Sequence, residues 1–257
     1  MTQDVKKNKL DLLGFQRTLN EQFLEIFEAK KSGKLKKEEM GFSSDLGLGD
    51  RAIDLNFFVP LKDLKNISMD NNFETIELTK SWIAGFNQTR GEVYTIMDFS
   101  RVMEMATQNL FEEQRRKINS DTRIIYIKEL HESKMGFILN TLELKYTAEY
   151  TKIFEFKETD NGNFWSLGEE VEFETFVKQE KTSEKEWFIL NEVNQYVKEN
   201  KKWTSQEIAD RLKDVKGTLS IVPLLIKDVY LDEFGQHPVF VLNIENLTNF
   251  LINVSPF

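Results

Sequence analysis

Cysteine is missing altogether and histidine nearly so, with His131 and His237 the only two in 257 residues. Without thiols the chain can form neither a disulfide framework nor a thiolate metal site, and a cysteine nucleophile is excluded. No feature indicates an oxidising compartment, so the cytoplasm is the expected location. No apolar run approaches the ~18 residues of a membrane span, and Met1-Thr2-Gln3-Asp4 opens without the apolar core of a signal peptide. Direct membrane insertion is not expected. Positive charge is also in deficit: 34 Lys and Arg against 43 Asp and Glu give a formal net charge of −9, which works against lasting contact with polyphosphate. Nucleic acid is therefore not an expected principal partner.

The usual marks of catalysis are equally sparse. No nucleophile-elbow sequence surrounds any serine, and both histidines read as turn residues. Gly47-Leu48-Gly49 lacks the third glycine or the Gly-Lys-Ser/Thr ending of a phosphate loop. Glu112-Glu113 and Glu169-Glu170 lie in charge-rich stretches that suit a wet face better than a metal site. No catalytic residue, metal or cofactor is expected.

What the chain does have is 40% apolar residues, enough to fill a core. From Lys9 to Lys31 they recur at helical spacing, with Leu12, Phe15, Leu19, Phe23 and Phe27 on one side. The lysines between Lys30 and Lys37 read as a solvated helix end and linker. After Met40, short strand patterns are expected at 54–59, 93–97, 123–130 and 135–142, with a helix at 99–117 carrying Val102, Met103, Ala106 and Leu110. Short, β-rich pieces of this kind suit small barrels.

A turn at Thr159-Asp160-Asn161-Gly162-Asn163 opens a different stretch. Two capping boxes follow, Ser183 with Glu186 and Thr204 with Glu207, each opening a helix. The first helix carries Trp187, Ile189, Leu190, Val193, Tyr196 and Val197, and the second Ile208, Ala209, Leu212 and Val215. Trp203 to Leu212 also resembles the first helix of a helix-turn-helix. A basic recognition helix should then follow; instead the chain runs through Lys213 to Gly217 into an apolar stretch holding Pro223. A DNA-binding regulator is the alternative reading. Strands are expected again at 219–222, 224–231 and 238–243, with a turn at 232–235 and a closing helix at 244–251.

The most specific stretch runs from Trp82 to Asp98: a bulky anchor at Trp82, a turn, a tight Arg90-Gly91 corner, then an apolar strand ending at Asp98. Gly91 suits an unusual backbone angle, and Asp98 suits the cap of the next helix. This order resembles the signature of the CheW-like family of chemosensory adaptors. Val59-Pro60-Leu61-Lys62-Asp63-Leu64-Lys65-Asn66-Ile67 sits where that family has a strand leading to a recognition segment, and 229–247 resembles its returning hairpin and closing helix. The resemblance covers roughly 42–156 and 218–252. Trp82, the preceding helix and the Asn249-Phe250-Leu251 ending are similar to PilI-type adaptors of type IV pilus twitching motility, with a coupling protein of flagellar chemotaxis the alternative within the family. Gln88 stands where the family has asparagine, Lys80 where it often has proline, and Asn66 where it has glutamate.

The resemblance implies a mainly β fold: two small SH3-like five-stranded barrels around a shared core. The N-terminal helical extension would span 1–40. The CheW-like domain would span 41–252, with a helical insertion at about 158–215. It also implies a non-catalytic protein whose partners are a histidine kinase regulatory domain and the cytoplasmic tip of a chemoreceptor, recruited to the inner membrane through their array. Leu64, Lys65, Asn66, Ile67 and Arg90 are the expected partner-contact residues, with Trp82, Gly85, Gly91 and Asp98 the structural motif. For Arg90, pinning the corner by hydrogen bonds to carbonyls is the competing role.

Overall fold

The computed structural model describes residues 40–45, 56–68, 73–75, 82–106, 123–128, 132–139, 143–146, 150–169, 184–213, 221–231 and 238–254. The expected N-terminal helix and lysine run, Gly47 and Gly49, both histidines, Ser183, the end of the 99–117 helix and the turn at 232–235 lie outside these residues.

In chain order, β1 (Met40–Asp45) and β2 (Asn56–Pro60) precede a 3-10 turn at Leu61–Asp63 and β3 (Leu64–Ser68). β4 (Ile83–Thr89) and β5 (Glu92–Asp98) lead into α1 (Phe99–Ala106). Next come β6 (Arg123–Ile127), β7 (Met135–Leu139), β8 (Glu143–Tyr146), β9 (Thr151–Lys157) and β10 (Asn163–Leu167). α2 (Glu184–Lys198), β11 (Lys202–Trp203), α3 (Ser205–Lys213) and α4 (Val222–Leu225) then precede β12 (Ile226–Leu231), β13 (Pro238–Leu242) and α5 (Ile244–Val254).

Among the described residues the strands form two sheets. One has the order β11-β10-β9-β12-β13-β2-β1-β8, the other β3-β6-β7-β5-β4. The five-stranded sheet is built from a single stretch of chain, while the larger one joins strands from before and after it. Two mainly β units are thus present, but five strands describe only the second; the first has eight. Part of the excess is β10 and β11, which come from the 158–215 segment. That segment is accordingly strand as well as helix.

Both sheets contribute to one core. Phe57, Phe154 and Phe240 enter it from the larger sheet, and Met97, Ile125 and Phe137 from the smaller. Phe99, at the start of α1, joins them: its ring lies edge-on to Phe57 at 5.3 Å and to Phe137 at 5.5 Å. Each sheet also has a smaller cluster of its own, Tyr94, Ile96, Ile124, Tyr126 and Ile138 in the five-stranded one and Phe58, Val239 and Val241 in the other. Central strands such as β7 and β13 are consequently buried along their whole length and read as continuous apolar runs.

Local chemistry sets the element ends. Thr204 and Glu207 form the expected capping box: the Thr204 N–H donates to the Glu207 carboxylate at 2.7 Å, and the Glu207 N–H donates to the Thr204 hydroxyl at 3.1 Å. α2 ends in a Schellman motif, with Asn200 at φ 48° and the Lys201 N–H donating to the Tyr196 carbonyl at 3.0 Å. The Thr159–Asn163 turn joins β9 to β10, its Gly162 N–H donating to the Thr159 carbonyl at 3.0 Å. α5 starts where Asn243 Oδ1 accepts from the Asn246 N–H at 3.0 Å, and continues past Leu251 to Val254.

One expected strand is absent. At 219–222 the first two residues lie outside the description, Ile221 is not in a strand, and Val222 opens the one-turn α4. Every residue of α4 is buried, and a short apolar run buried on all sides carries no period that separates strand from helix. Pro223, which lacks an N–H, suits a first helical turn. β12 in turn begins at Ile226 rather than at Leu224.

Candidate partner-contact site

The Trp82–Asp98 stretch folds as one hairpin. Its two ends meet where the Asp98 N–H donates to the Trp82 carbonyl at 2.9 Å, and Trp82 packs half-buried against the shared core. The strands pair from Ile83 with Met97 to Thr89 with Glu92, leaving Arg90 and Gly91 as a two-residue loop. Both have positive φ, 52° and 79°, as a type I′ turn demands. Asp98 immediately precedes α1, the place of a helix cap.

Gly85 is needed for a different reason. A β-carbon there would stand 2.0 Å from the Glu74 carbonyl oxygen and 2.8 Å from the Phe73 ring. The closeness arises because Glu74 pairs with Phe86 across β4, through N–H to carbonyl bonds of 2.8 and 2.9 Å. Residues 73–75 thus lie along the outer edge of β4.

Of the expected contact residues, Leu64 faces inward and is buried in the shared core, where it anchors β3. Asn66 and Ile67 are half-buried, Ile67 packing against that core. Lys65 is exposed and sits at a β-bulge, since the register against β6 shifts between Leu64 and Asn66; a bulge re-aims the side chain it carries. Arg90 is exposed at the hairpin tip, and no hydrogen bond or ion pair among the described residues involves its guanidinium. Within that set, nothing shows it pinning the corner through carbonyls.

Glu92, next to the turn, ties these pieces together. Its carboxylate accepts from Lys65 Nζ at 2.6 Å and from the Tyr94 hydroxyl at 2.6 Å, and forms an ion pair with Lys134 Nζ at 3.2 Å. Lys65 also stands over the Tyr94 ring, 5.4 Å from its centre, and Tyr94 packs edge-on to Tyr126 at 4.7 Å. The hydrogen bond from Lys65, then those from Tyr94 and Lys134, hold the Glu92 carboxyl down at about 2. Reciprocally, Glu92 and then Tyr94 raise the Lys65 ammonium well above its ordinary range. Glu92, Tyr94 and Lys134 carry no local sequence signal for this role, because Lys65 and Glu92 are 27 residues apart and meet only in the tertiary structure.

Elsewhere, no three His, Cys, Asp or Glu side chains converge as a metal site among the described residues, and no described helix is long and apolar enough to cross a membrane. Of the stretch that resembles the first helix of a helix-turn-helix, Trp203 lies in β11 and Ser205–Lys213 form α3, an ordinary capped helix. The next described helix is the buried single turn α4, which cannot enter a groove.

No known family profile matches the chain, and no curated protein does. Among solved structures, it is similar to the scaffolding protein TtCheW from Thermoanaerobacter tengcongensis, at 16% identity over 55% of this chain and 94% of that one, with a TM-score of 0.35.

Proposed function

We propose that this protein is a non-catalytic adaptor that joins a chemoreceptor to a histidine kinase, in a pathway controlling type IV pili and twitching motility. The observation that carries the reading is the corner itself. The stretch that resembles the CheW-like signature folds as a single tight hairpin, with Arg90 held out in solvent at its tip and the Lys65–Ile67 segment tied to its base. Lys65, Asn66, Ile67 and Arg90 form the contact surface, and Leu64 holds β3 from beneath. The receptor tip and the kinase regulatory domain are the partners, and their array brings the adaptor to the inner membrane.

The test is co-purification of the full chain with the receptor tails and kinase regulatory domains of its source organism. Capture of one such pair is expected, and failure with all of them overturns the reading. Arg90→Ala sharpens it: binding should weaken about tenfold, as for loss of a charge at an interface rim, while the melting temperature stays where it was. A large drop in melting temperature with binding retained would make Arg90 a corner residue instead.

A further inference from the structure

We propose that Glu92 is the positioning residue of this surface: it latches β3 to the base of the β4–β5 corner and so sets how Lys65, Asn66 and Ile67 stand relative to Arg90. The latch is read from geometry alone; its consequence for binding rests on the adaptor reading.

β3 and β5 are not neighbours, since β6 and β7 lie between them. In a flat sheet three strand spacings amount to about 14 Å. Yet Lys65 Nζ reaches the Glu92 carboxylate at 2.6 Å by passing over the Tyr94 ring, beside the Tyr94–Tyr126 pair that β5 and β6 contribute. The contact draws one end of the sheet toward the other above a small apolar cluster. It is also overdetermined at Glu92, which takes a donor from β3, one from its own strand and one from Lys134, just before β7. Lys134 is fixed in turn through its backbone, whose carbonyl accepts from the Thr95 N–H at 3.0 Å. An exposed ion pair of two long side chains is ordinarily loose; here a tyrosine hydroxyl and a second lysine hold the carboxylate still, and the bulge at Lys65 aims the ammonium toward it.

A glutamine at 92 keeps the shape and removes the charge that gathers the two lysines. Competitive amine labelling of the folded full chain, read by mass spectrometry, tests the latch directly. In Glu92→Gln, Lys65 should label at least about threefold faster relative to Lys198 and Lys213, because a lysine relieved of a carboxylate partner has more neutral amine at a given pH. Tyr94→Phe, which removes one donor and keeps the buried ring, should give a smaller rise. Affinity of Glu92→Gln for the captured receptor tail or kinase domain should fall about tenfold, while the variant still unfolds in one cooperative transition. Unchanged labelling of Lys65 in Glu92→Gln overturns the latch. Faster labelling with unchanged affinity overturns the positioning role. Binding by neither wild type nor variant overturns the adaptor reading alone, and the labelling ratio then decides the latch.

Discussion

At Gly85 an added β-carbon meets backbone at 2.0 Å, whereas at Gly91 it meets nothing within 4 Å, so the two glycines of the corner are required for unrelated reasons. Gly85→Ala forces the 73–75 segment off β4 and should cost about 3 kcal/mol, as overpacking does at its upper end. Gly91→Ala should cost only about 1–2 kcal/mol, the strain of a left-handed residue. Chemical denaturation of the two variants checks the order, and equal losses would contradict it. Arg90 already bears such strain at φ 52°. Asn-Gly is the favoured pair for this turn, so Arg90→Asn should stabilise the fold by about 0.5–1 kcal/mol while weakening partner binding. That pair of outcomes, read from denaturation midpoints and partner affinity, would mark Arg90 as kept for binding rather than for stability. Glu92 sets a pH dependence: its three donors hold its folded pKa at about 2, below the ordinary glutamate value of 4.5. Its contribution is therefore complete above about 4.5 and is lost as pH falls from there toward 2. Across that window Glu92→Gln should lose less stability than wild type, measured by denaturant midpoints at each pH.

At the scale of elements, the start of α3 was legible, while the expected end at Val215 lies outside the described residues. Thr204 and Glu207 bracket its start in the sequence, and the structure shows both reciprocal bonds. Thr204→Ala removes the hydroxyl that accepts from the Glu207 N–H, at a cost of about 1 kcal/mol; no change in the denaturation midpoint would mean the cap is redundant. The corner was legible too, because Arg-Gly between alternating residues specifies a two-residue turn. The strand expected at 219–222 was not, since it lies in a run that is apolar on every side and gives way to α4. Nor was the pairing of Glu74 with Phe86, which leaves no mark in the sequence beyond the glycine it crowds.

At the scale of the whole molecule, the 158–215 segment is integral to the fold. Trp165 from β10, Ile189, Leu190 and Val193 from α2, Trp203 from β11, and Ile208 and Leu212 from α3 all belong to the core that both sheets share. Trp203 packs against Tyr196 at 4.9 Å and lies 6.1 Å from Phe156 of β9. Leu212→Ala should therefore lower the single unfolding transition of the entire chain, by about 2–5 kcal/mol. A separate second transition, with the remainder melting as in wild type, would show that the segment folds as its own unit. Replacing 163–213 with a short linker should abolish cooperative melting for the same reason.

By itself the sequence determined the mainly β character, the two helices of the 158–215 stretch, the Arg90-Gly91 corner and the likeness on which its function is argued. The first three rest on local rules, namely period, caps and turn residues; the likeness rests on the order of residues from Trp82 to Asp98. Tertiary structure alone decided that Leu64 supports the contact segment from inside, that β10 and β11 extend the larger sheet, and that Glu92 gathers Lys65 and Lys134 at the base of the corner. Those facts depend on which strands become neighbours and how a sheet curls, and the hydrophobic effect that drives such packing is non-directional, so no short stretch of residues encodes it.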